Sequence, residues 1–268
     1  SLVSGRECAA ALRRVGYKVS EVDAGNDLPK ELGRISPDII FNALHGRYGE
    51  DGCVQGLFEW LELPYTHSGV QASALAMNKD IAKRIFKSDN LPVAESICTS
   101  SASAFSAHLM EPPYVIKPVN EGSSVGVHLV LQDYDNFSIS EKNFPDKVLV
   151  EKFIPGRELP TTIMNEQPLG VTDIITDKWY DYEAKYNVGA SKHVFPANIP
   201  KEIYDACEDF ALRAHVAIGC KGISRTDFRW DNSLGIEGLF LLEINTQPGM
   251  TPTSLSPEQA KEKGISFD

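Results

Sequence analysis

The segment Leu239-Phe-Leu-Leu-Glu-Ile-Asn245 is an apolar run that ends in a carboxylate and an amide, and Gly222-Ile-Ser-Arg-Thr-Asp-Phe228 precedes it. Both runs are predicted to be strands because of their apolar content and alternation. Residues 230–238, which separate them, are rich in turn residues. A hairpin is therefore predicted.

The polar side chains of this hairpin form a candidate metal site. Residues two apart on a strand face the same side, so Glu243 and Asn245 point one way and pairing brings Asp227 alongside. An all-oxygen cluster suits a hard cation such as Mg²⁺, which is usually shared with substrate phosphates. The alternative is a strand that ends in a solvated Glu and Asn before a turn.

Length and composition limit the class of protein. A chain of 268 residues suits two or three subdomains. With 26 Lys and Arg against 37 Asp and Glu, the net charge of −11 excludes a basic nucleic-acid surface. Five scattered cysteines without a CxxC pair are typical of reduced thiols in a cytoplasmic protein. Neither a membrane span nor a signal peptide is predicted.

Helices and strands alternate near the start of the chain, which predicts a largely parallel sheet in residues 1–67. Helices are predicted at residues 6–15, 54–61, 72–87 and 203–218. Strands are predicted at residues 17–22, 39–42, 63–67, 114–118, 125–130, 147–154 and 169–175.

Three further segments contain candidate phosphate or nucleotide contacts. The loop Glu121-Gly-Ser-Ser-Val-Gly126 could hold a phosphate with its backbone N–H groups, although a plain hairpin turn is the alternative. Lys117 ends an apolar strand, where its charge needs a partner such as a phosphate. Lys79 taken alone would be a solvated lysine, and residues 151–158 are either a nucleotide-binding hinge or a strand followed by a solvated turn.

Taken in order, these segments resemble the ATP-grasp ligases. Three longer motifs narrow the resemblance to the D-alanine–D-alanine ligase family: residues 43–52, 180–186 and 245–255. The resemblance implies an α/β (α+β) ATP-grasp fold. Its expected parts are a parallel α/β domain over residues 1–67, a central domain over residues 68–150, and a C-terminal domain over residues 151–268 with a mobile lid at residues 180–187.

The resemblance also implies a reaction. The family uses ATP with two Mg²⁺ (or Mn²⁺) ions to join two D-alanine molecules for peptidoglycan synthesis. One D-alanine carboxylate attacks the γ-phosphate to form an acyl phosphate, and the amine of the second then displaces phosphate. Enclosure of the site protects the acyl phosphate from water.

Individual residues take expected roles by matching the family's motifs. The metal ligands are Asp227, Glu243 and Asn245. The nucleotide contacts are Lys79, Lys117, Ser124, Glu151, Lys152, Ile154 and Glu158. The catalytic residues are Arg225, Ser123, Tyr186, Glu121 and Gly249. The substrate contacts are His45, Glu50, Lys185, Ser254 and Leu255. For Arg225, a salt bridge to Asp227 is the alternative to a phosphoryl contact.

Several hypotheses stay open. The acceptor could be D-lactate or D-serine, although Lys185-Tyr186 favours a dipeptide product. A nucleotide-binding protein without ligase activity is the alternative from another class. By the resemblance, the protein is a cytoplasmic homodimer that binds neither nucleic acid nor membrane. The family's first strand and a substrate-contacting Glu are expected before residue 1, and both ends of the chain are expected to be truncated.

Overall fold

The computed structural model describes residues 1–122, 126–131, 144–175 and 192–268. Its helices are α1 (Leu2–Arg14), α2 (Leu28–Ile35), α3 (Cys53–Trp60), α4 (Val70–Met77), α5 (Lys79–Ser88), α6 (Ser101–Ser106), α7 (Lys201–Ile218) and α8 (Leu255–Glu262). In these ranges no helix combines the length and the apolar character that crossing a membrane requires.

One antiparallel sheet lies in the middle of the chain. Its strands are β1 (Ser96–Ser100), β2 (Tyr114–Pro118), β3 (His128–Val130) and β4 (Lys147–Lys152), in the order β1-β4-β2-β3. Every residue of β2 is buried, including Lys117 near its end. Tyr114, Ile116, Val148 and Val150 form its core.

A larger antiparallel sheet carries the hairpin predicted from the sequence. Its strands are β5 (Arg157–Glu158), β6 (Thr161–Met164), β7 (Gln167–Val171), β8 (Asp173–Ile175), β9 (Lys192–Val194), β10 (Ile223–Trp230) and β11 (Leu239–Asn245). The order is β7-β6-β10-β5-β8-β9, and β11 pairs with β10. Helix α7 packs on this sheet and ends at Gly219, whose left-handed φ of 79° suits a glycine.

The helix predicted over residues 72–87 is interrupted at Asn78, so the prediction of one continuous helix was wrong. Asn78 has an extended backbone (φ −87°, ψ 97°), and its side chain accepts a hydrogen bond from the Ile81 N–H. An Asn side chain that caps a helix in this way competes with continuation of the preceding helix. The break makes Lys79 the first residue of α5.

The N-terminal region differs from the prediction of a parallel sheet. Residues 17–22 form no strand, and residues 39–42 and 63–67 contribute only an isolated parallel bridge between Ile40 and Tyr65. The reason is that strand ladders need neighbours, and the described residues supply no further partner here. An apolar cluster around Leu28, Leu32, Val54 and Phe58 instead packs α2 against α3.

Candidate active site

The β10–β11 pair brings the predicted metal ligands together. Asp227 lies directly opposite Glu243, and Arg225 lies opposite Asn245. The register shifts between Asp227 and Phe228, which is a bulge of the kind often found beside active sites. The predicted hairpin and its pairing are therefore confirmed.

Arg225 forms a bidentate ion pair with Asp227. Its Nε donates to Asp227 Oδ1 at 2.6 Å, and its Nη2 donates to Oδ2 at 2.8 Å. The salt bridge treated as the less favoured alternative is thus present. A bidentate pair of this kind is geometrically specific, so a metal ion at Asp227 would have to share the carboxylate with Arg225 or displace it.

Lys79 joins the phosphate loop to the hairpin. Its Nζ lies 2.9 Å from Glu243 Oε2 and donates to the Glu121 carbonyl oxygen at 2.6 Å. Its backbone N–H also donates to Val119 O at 3.1 Å. Lys79 is consequently buried between the two sheets rather than solvated, as its sequence context taken alone would suggest.

Lys117 and Glu151 form a buried ion cluster with a third residue, Lys83. Lys117 Nζ lies 2.5 Å from Glu151 Oε2, and Lys83 Nζ lies 3.0 Å from Glu151 Oε1. Burial by itself would raise the pKa of Glu151, but the two ammonium groups outweigh it and hold the pKa below its usual range. Glu151 is therefore a carboxylate whose side chain is committed to lysines.

The other predicted nucleotide contacts lie at the end of β4 or just after it. Lys152 is exposed at the end of that strand, whereas Ile154 is buried. Arg229 holds the hinge, because its Nε donates to Ile154 O at 3.0 Å and its Nη1 donates to Glu158 Oε1 at 2.8 Å. The segment is thus fixed to β10, the strand that carries Asp227.

His45 and Glu50 connect the N-terminal region to the same hairpin. His45 Nδ1 lies 3.3 Å from Glu50 Oε1 and 3.1 Å from the Gln247 carbonyl oxygen. Because both neighbours accept hydrogen bonds, Nδ1 carries the proton. The Gln247 N–H donates to Asn245 Oδ1 at 2.7 Å, so one chain of contacts links His45 with a predicted metal ligand.

The other predicted residues are placed as follows. Gly249 lies close to Ser254, since an added Cβ would approach Ser254 Oγ to 3.1 Å. Ser254 Oγ accepts from the Thr251 N–H at 3.1 Å, and Leu255 begins α8. The Glu121 side chain is exposed. Ser123, Ser124, Lys185 and Tyr186, together with the expected lid over residues 180–187, lie outside the described residues.

The chemistry of the hairpin fits a hard divalent cation. Among the described residues, no three His, Cys, Asp or Glu side chains converge. The candidate metal ligands are therefore two carboxylates and the amide of Asn245. Both carboxylates are already bound by cationic side chains, Lys79 on Glu243 and Arg225 on Asp227. Carboxylate and amide oxygens are ligands that Mg²⁺ takes in proteins, so a bound ion would share these carboxylates with Lys79 and Arg225 or displace the two cations.

Three residues at this site were missed by the sequence analysis: Lys83, Arg229 and Gln247. Two of them had a usable signal. Lys83 is four residues after Lys79 and so shares its helix face. Arg229 alternates with Arg225 and Asp227 along β10 and so shares their face. For Gln247 the sequence held no such pattern, because its role depends on a turn that brings it to His45.

Comparison with known proteins identifies the family. Residues 17–68 match the family described as D-ala D-ala ligase N-terminus, and residues 85–268 match D-ala D-ala ligase C-terminus. The chain is 60% identical to the D-alanine–D-alanine ligase of Ruegeria pomeroyi over 267 residues, which are 100% of this chain and 87% of that protein. It is also 60% identical over 267 residues to the enzyme of the same name from Cereibacter sphaeroides, with the same coverage.

The fold agrees with solved structures. A D-alanine–D-alanine ligase from Bacillus anthracis complexed with ATP superimposes with a TM-score of 0.81 at 25% identity, covering 99% of this chain and 87% of that one. A second structure of that ligase gives a TM-score of 0.82 at 27% identity, covering 99% and 88%. The ATP-grasp fold expected from the sequence is confirmed, and the chain belongs to the D-alanine–D-alanine ligase family.

Proposed function

We propose that this protein joins two D-alanine molecules into D-alanyl-D-alanine at the expense of ATP, for peptidoglycan precursor synthesis. A carboxylate oxygen of the first D-alanine bonds to the γ-phosphorus while the bond to the bridging oxygen of ADP breaks. The amine nitrogen of the second D-alanine then attacks the acyl carbon and loses a proton, and phosphate leaves with the breaking C–O bond.

The observation that carries this proposal is the identity of 60% over the whole chain with D-alanine–D-alanine ligases. The geometry supports it, because Asp227 lies opposite Glu243, Lys79 contacts Glu243, and Arg229 of β10 binds the segment of Ile154 and Glu158. Neither the described residues nor the related proteins favour D-lactate or D-serine as acceptor. Arg225, Asp227, Glu243 and Asn245 are all present, which argues against a non-catalytic nucleotide-binding protein.

The residues proposed to contact ATP have roles that follow from their charge. Lys79 and Lys117 bind the ATP phosphates, and the segment of Lys152, Ile154 and Glu158 binds the nucleoside. Glu151 contributes its backbone groups to that segment, and its carboxylate binds Lys83 and Lys117 instead of the nucleotide. Arg225 stabilises the negative charge of the transferred phosphoryl group, because its planar guanidinium matches several oxygens at once.

Asp227, Glu243 and Asn245 would hold Mg²⁺, which supplies neutralisation of charge on the β- and γ-phosphates during transfer. Lys79, which contacts Glu243 at 2.9 Å, lies beside these ligands and would face the same phosphates. Gly249 offers its backbone N–H to the developing oxyanion. Glu121, Ser123 and Tyr186 form a hydrogen-bonded network over the substrates, and Ser124 contacts a phosphate.

Two groups of residues bind the amino-acid substrates. His45 and Glu50 lie at the first D-alanine, and Lys185, Ser254 and Leu255 hold the carboxylate of the second. We also propose a homodimer working in the cytoplasm, without nucleic acid or membrane as partner. Five free thiols and an acidic surface support that location. The three domains, divided at residues 67 and 150, remain a prediction.

The test is phosphate release from ATP and Mg²⁺ with D-alanine, D-lactate or D-serine as acceptor, with product identified by mass spectrometry. We expect D-alanyl-D-alanine from the unaltered protein and almost none from Asp227→Ala. Absence of product with every acceptor, despite ATP binding, would overturn the ligase assignment.

A further inference from the structure

Lys83 lies outside the residues that the sequence motifs assign to ATP, yet it is bound to one of them. It is on the second turn of α5, with 2% of its surface exposed, and its Nζ lies 3.0 Å from Glu151 Oε1. Glu151, at 1% exposure, receives Lys117 on its other oxygen at 2.5 Å. Two lysines from different elements therefore share a single buried carboxylate.

The charges of this cluster do not balance. Among the described residues, two lysines meet one carboxylate here, and the other described contact of Lys83 is the neutral Ala94 carbonyl oxygen at 3.4 Å. Burial lowers the pKa of Lys83 and Glu151 offsets this only in part, so a second positive charge in the cluster is held at a cost. An uncompensated charge is expensive to bury. Such a cluster is stable where an anion completes it, and Lys117, with 8% exposure, is its more open member.

The position of α5 indicates where that anion lies. Lys79 and Lys83 are one helical turn apart and so project from the same face. Lys79 contacts Glu243 on β11, whereas Lys83 contacts Glu151 on β4. The helix face thus lies between the two sheets, with Lys79 bound to β11 and Lys83 bound to the carboxylate that also binds Lys117.

We propose that Lys83 is a positioning residue for ATP, acting through Glu151 on Lys117. By sharing the carboxylate, Lys83 prevents Lys117 and Glu151 from forming a neutral, self-sufficient pair. Lys117 can then bind a phosphate oxygen while it stays anchored to Glu151. This inference rests on the proposed function, because it takes the phosphate role of Lys117 from it.

The first experiment compares Lys83→Met with Lys87→Met in the full chain. Both remove one lysine from α5, but Lys87 is exposed, so the second variant is a matched control. Removing a charge this close to the phosphate site should raise the KM for ATP about tenfold in Lys83→Met, with a smaller change in kcat. Lys87→Met should keep the KM of the unaltered protein.

A double variant separates positioning from simple structural support. Lys83→Met leaves the cluster neutral, whereas Lys83→Met with Glu151→Gln returns it to one net positive charge on Lys117. The charge argument predicts that the double variant recovers most of the lost ATP affinity. A purely structural ion pair predicts the opposite, because the second substitution removes a further partner.

ATP binding is measured by calorimetry in addition to turnover. Turnover tests the proposed function, and the binding comparison tests the role of Lys83. Lack of ligation by the unaltered protein would overturn the proposed function and leave the binding comparison intact. Equal ATP affinity in Lys83→Met and Lys87→Met would overturn the role of Lys83. If Lys83→Met does not fold, the double variant is the test. An ATP affinity near that of the unaltered protein would support the positioning role of Lys83, and a tenfold or larger loss of ATP affinity would contradict it.

Discussion

Arg225 and Asp227 are neighbours on one face of β10, and the guanidinium holds the carboxylate at 2.6 and 2.8 Å. The pair joins the residue proposed to stabilise the phosphoryl group to a residue proposed to bind metal. While they are paired, Arg225 is less available to a phosphoryl group and Asp227 is less available to a metal ion. Binding of Mg²⁺ and ATP should therefore weaken the ion pair between Arg225 and Asp227.

Replacing Arg225 by Gln should separate these two roles. Loss of one preorganised electrostatic group lowers kcat by about a hundredfold to a thousandfold. The Mg²⁺ concentration that gives half-maximal rate should stay the same or fall, because Asp227 no longer has a competing cation. A Mg²⁺ titration of the steady-state rate measures both quantities.

Arg34→Gln is the control for that substitution, since its guanidinium is largely exposed on α2. It should leave both quantities unchanged. A clear rise in the half-maximal Mg²⁺ concentration for Arg225→Gln would contradict the competition between guanidinium and metal.

Gly156 should resist substitution because of its backbone. Its φ is 95°, and an added Cβ would lie 2.1 Å from the Trp230 carbonyl oxygen. Gly156→Ala should therefore lower the free energy of unfolding by at least about 2 kcal/mol. Denaturant titration followed by circular dichroism measures the change.

Gly33→Ala provides the comparison, because nothing lies within 4 Å of an added Cβ there. That glycine is inside α2, so alanine should stabilise the protein by up to about 1 kcal/mol. If the two substitutions had equal effects, the close approach of residue 156 to Trp230 would not be a constraint.

Asn78 should contribute to stability as the N-cap of α5. Its side chain accepts a hydrogen bond from the Ile81 N–H at 3.1 Å. Asn78→Ala should cost about 1 kcal/mol, whereas Asn78→Asp keeps an acceptor and should cost much less. Thermal unfolding of the two variants measures this difference. Identical unfolding midpoints for Asn78→Ala and Asn78→Asp would contradict a stabilising role of the cap.

His67 should make the protein less stable in mild acid. Burial is the main cause that lowers its pKa from 6.5 to about 4, partly offset by a backbone hydrogen bond with Asn42. Between these two values the unfolded chain binds a proton that the folded chain does not. Stability should therefore fall as the pH drops from 6.5 to about 4, by about 3 kcal/mol, with no further contribution below that range.

The variant His67→Asn tests this linkage. Asn does not titrate and tolerates the positive φ of 72° at this position. The difference in unfolding free energy between pH 7 and pH 4.5 should be smaller in the variant than in the unaltered protein. An unchanged difference would mean that another group is responsible.

The sequence by itself determined the family, the hairpin and the order of the site residues. Alternation along residues 223–230 and 239–245 specifies two strands with a short connection, and a short connection leaves antiparallel pairing as the simple outcome. Asp227 therefore meets Glu243 for reasons that are local in the chain. The end of α7 at Gly219 is equally local, because a left-handed residue stops a helix.

Only the tertiary structure decided which charges meet. Glu151 is bound by Lys83 and Lys117, which come from a helix and a strand that are separate in sequence, and Lys79 reaches Glu243 across the two sheets. The absence of a strand at residues 17–22 also reflects partners that are distant in the chain, whereas the break at Asn78 comes from a local cap. Local propensity acts between neighbours in the chain, whereas a buried ion pair or a strand ladder depends on partners that packing alone brings within reach.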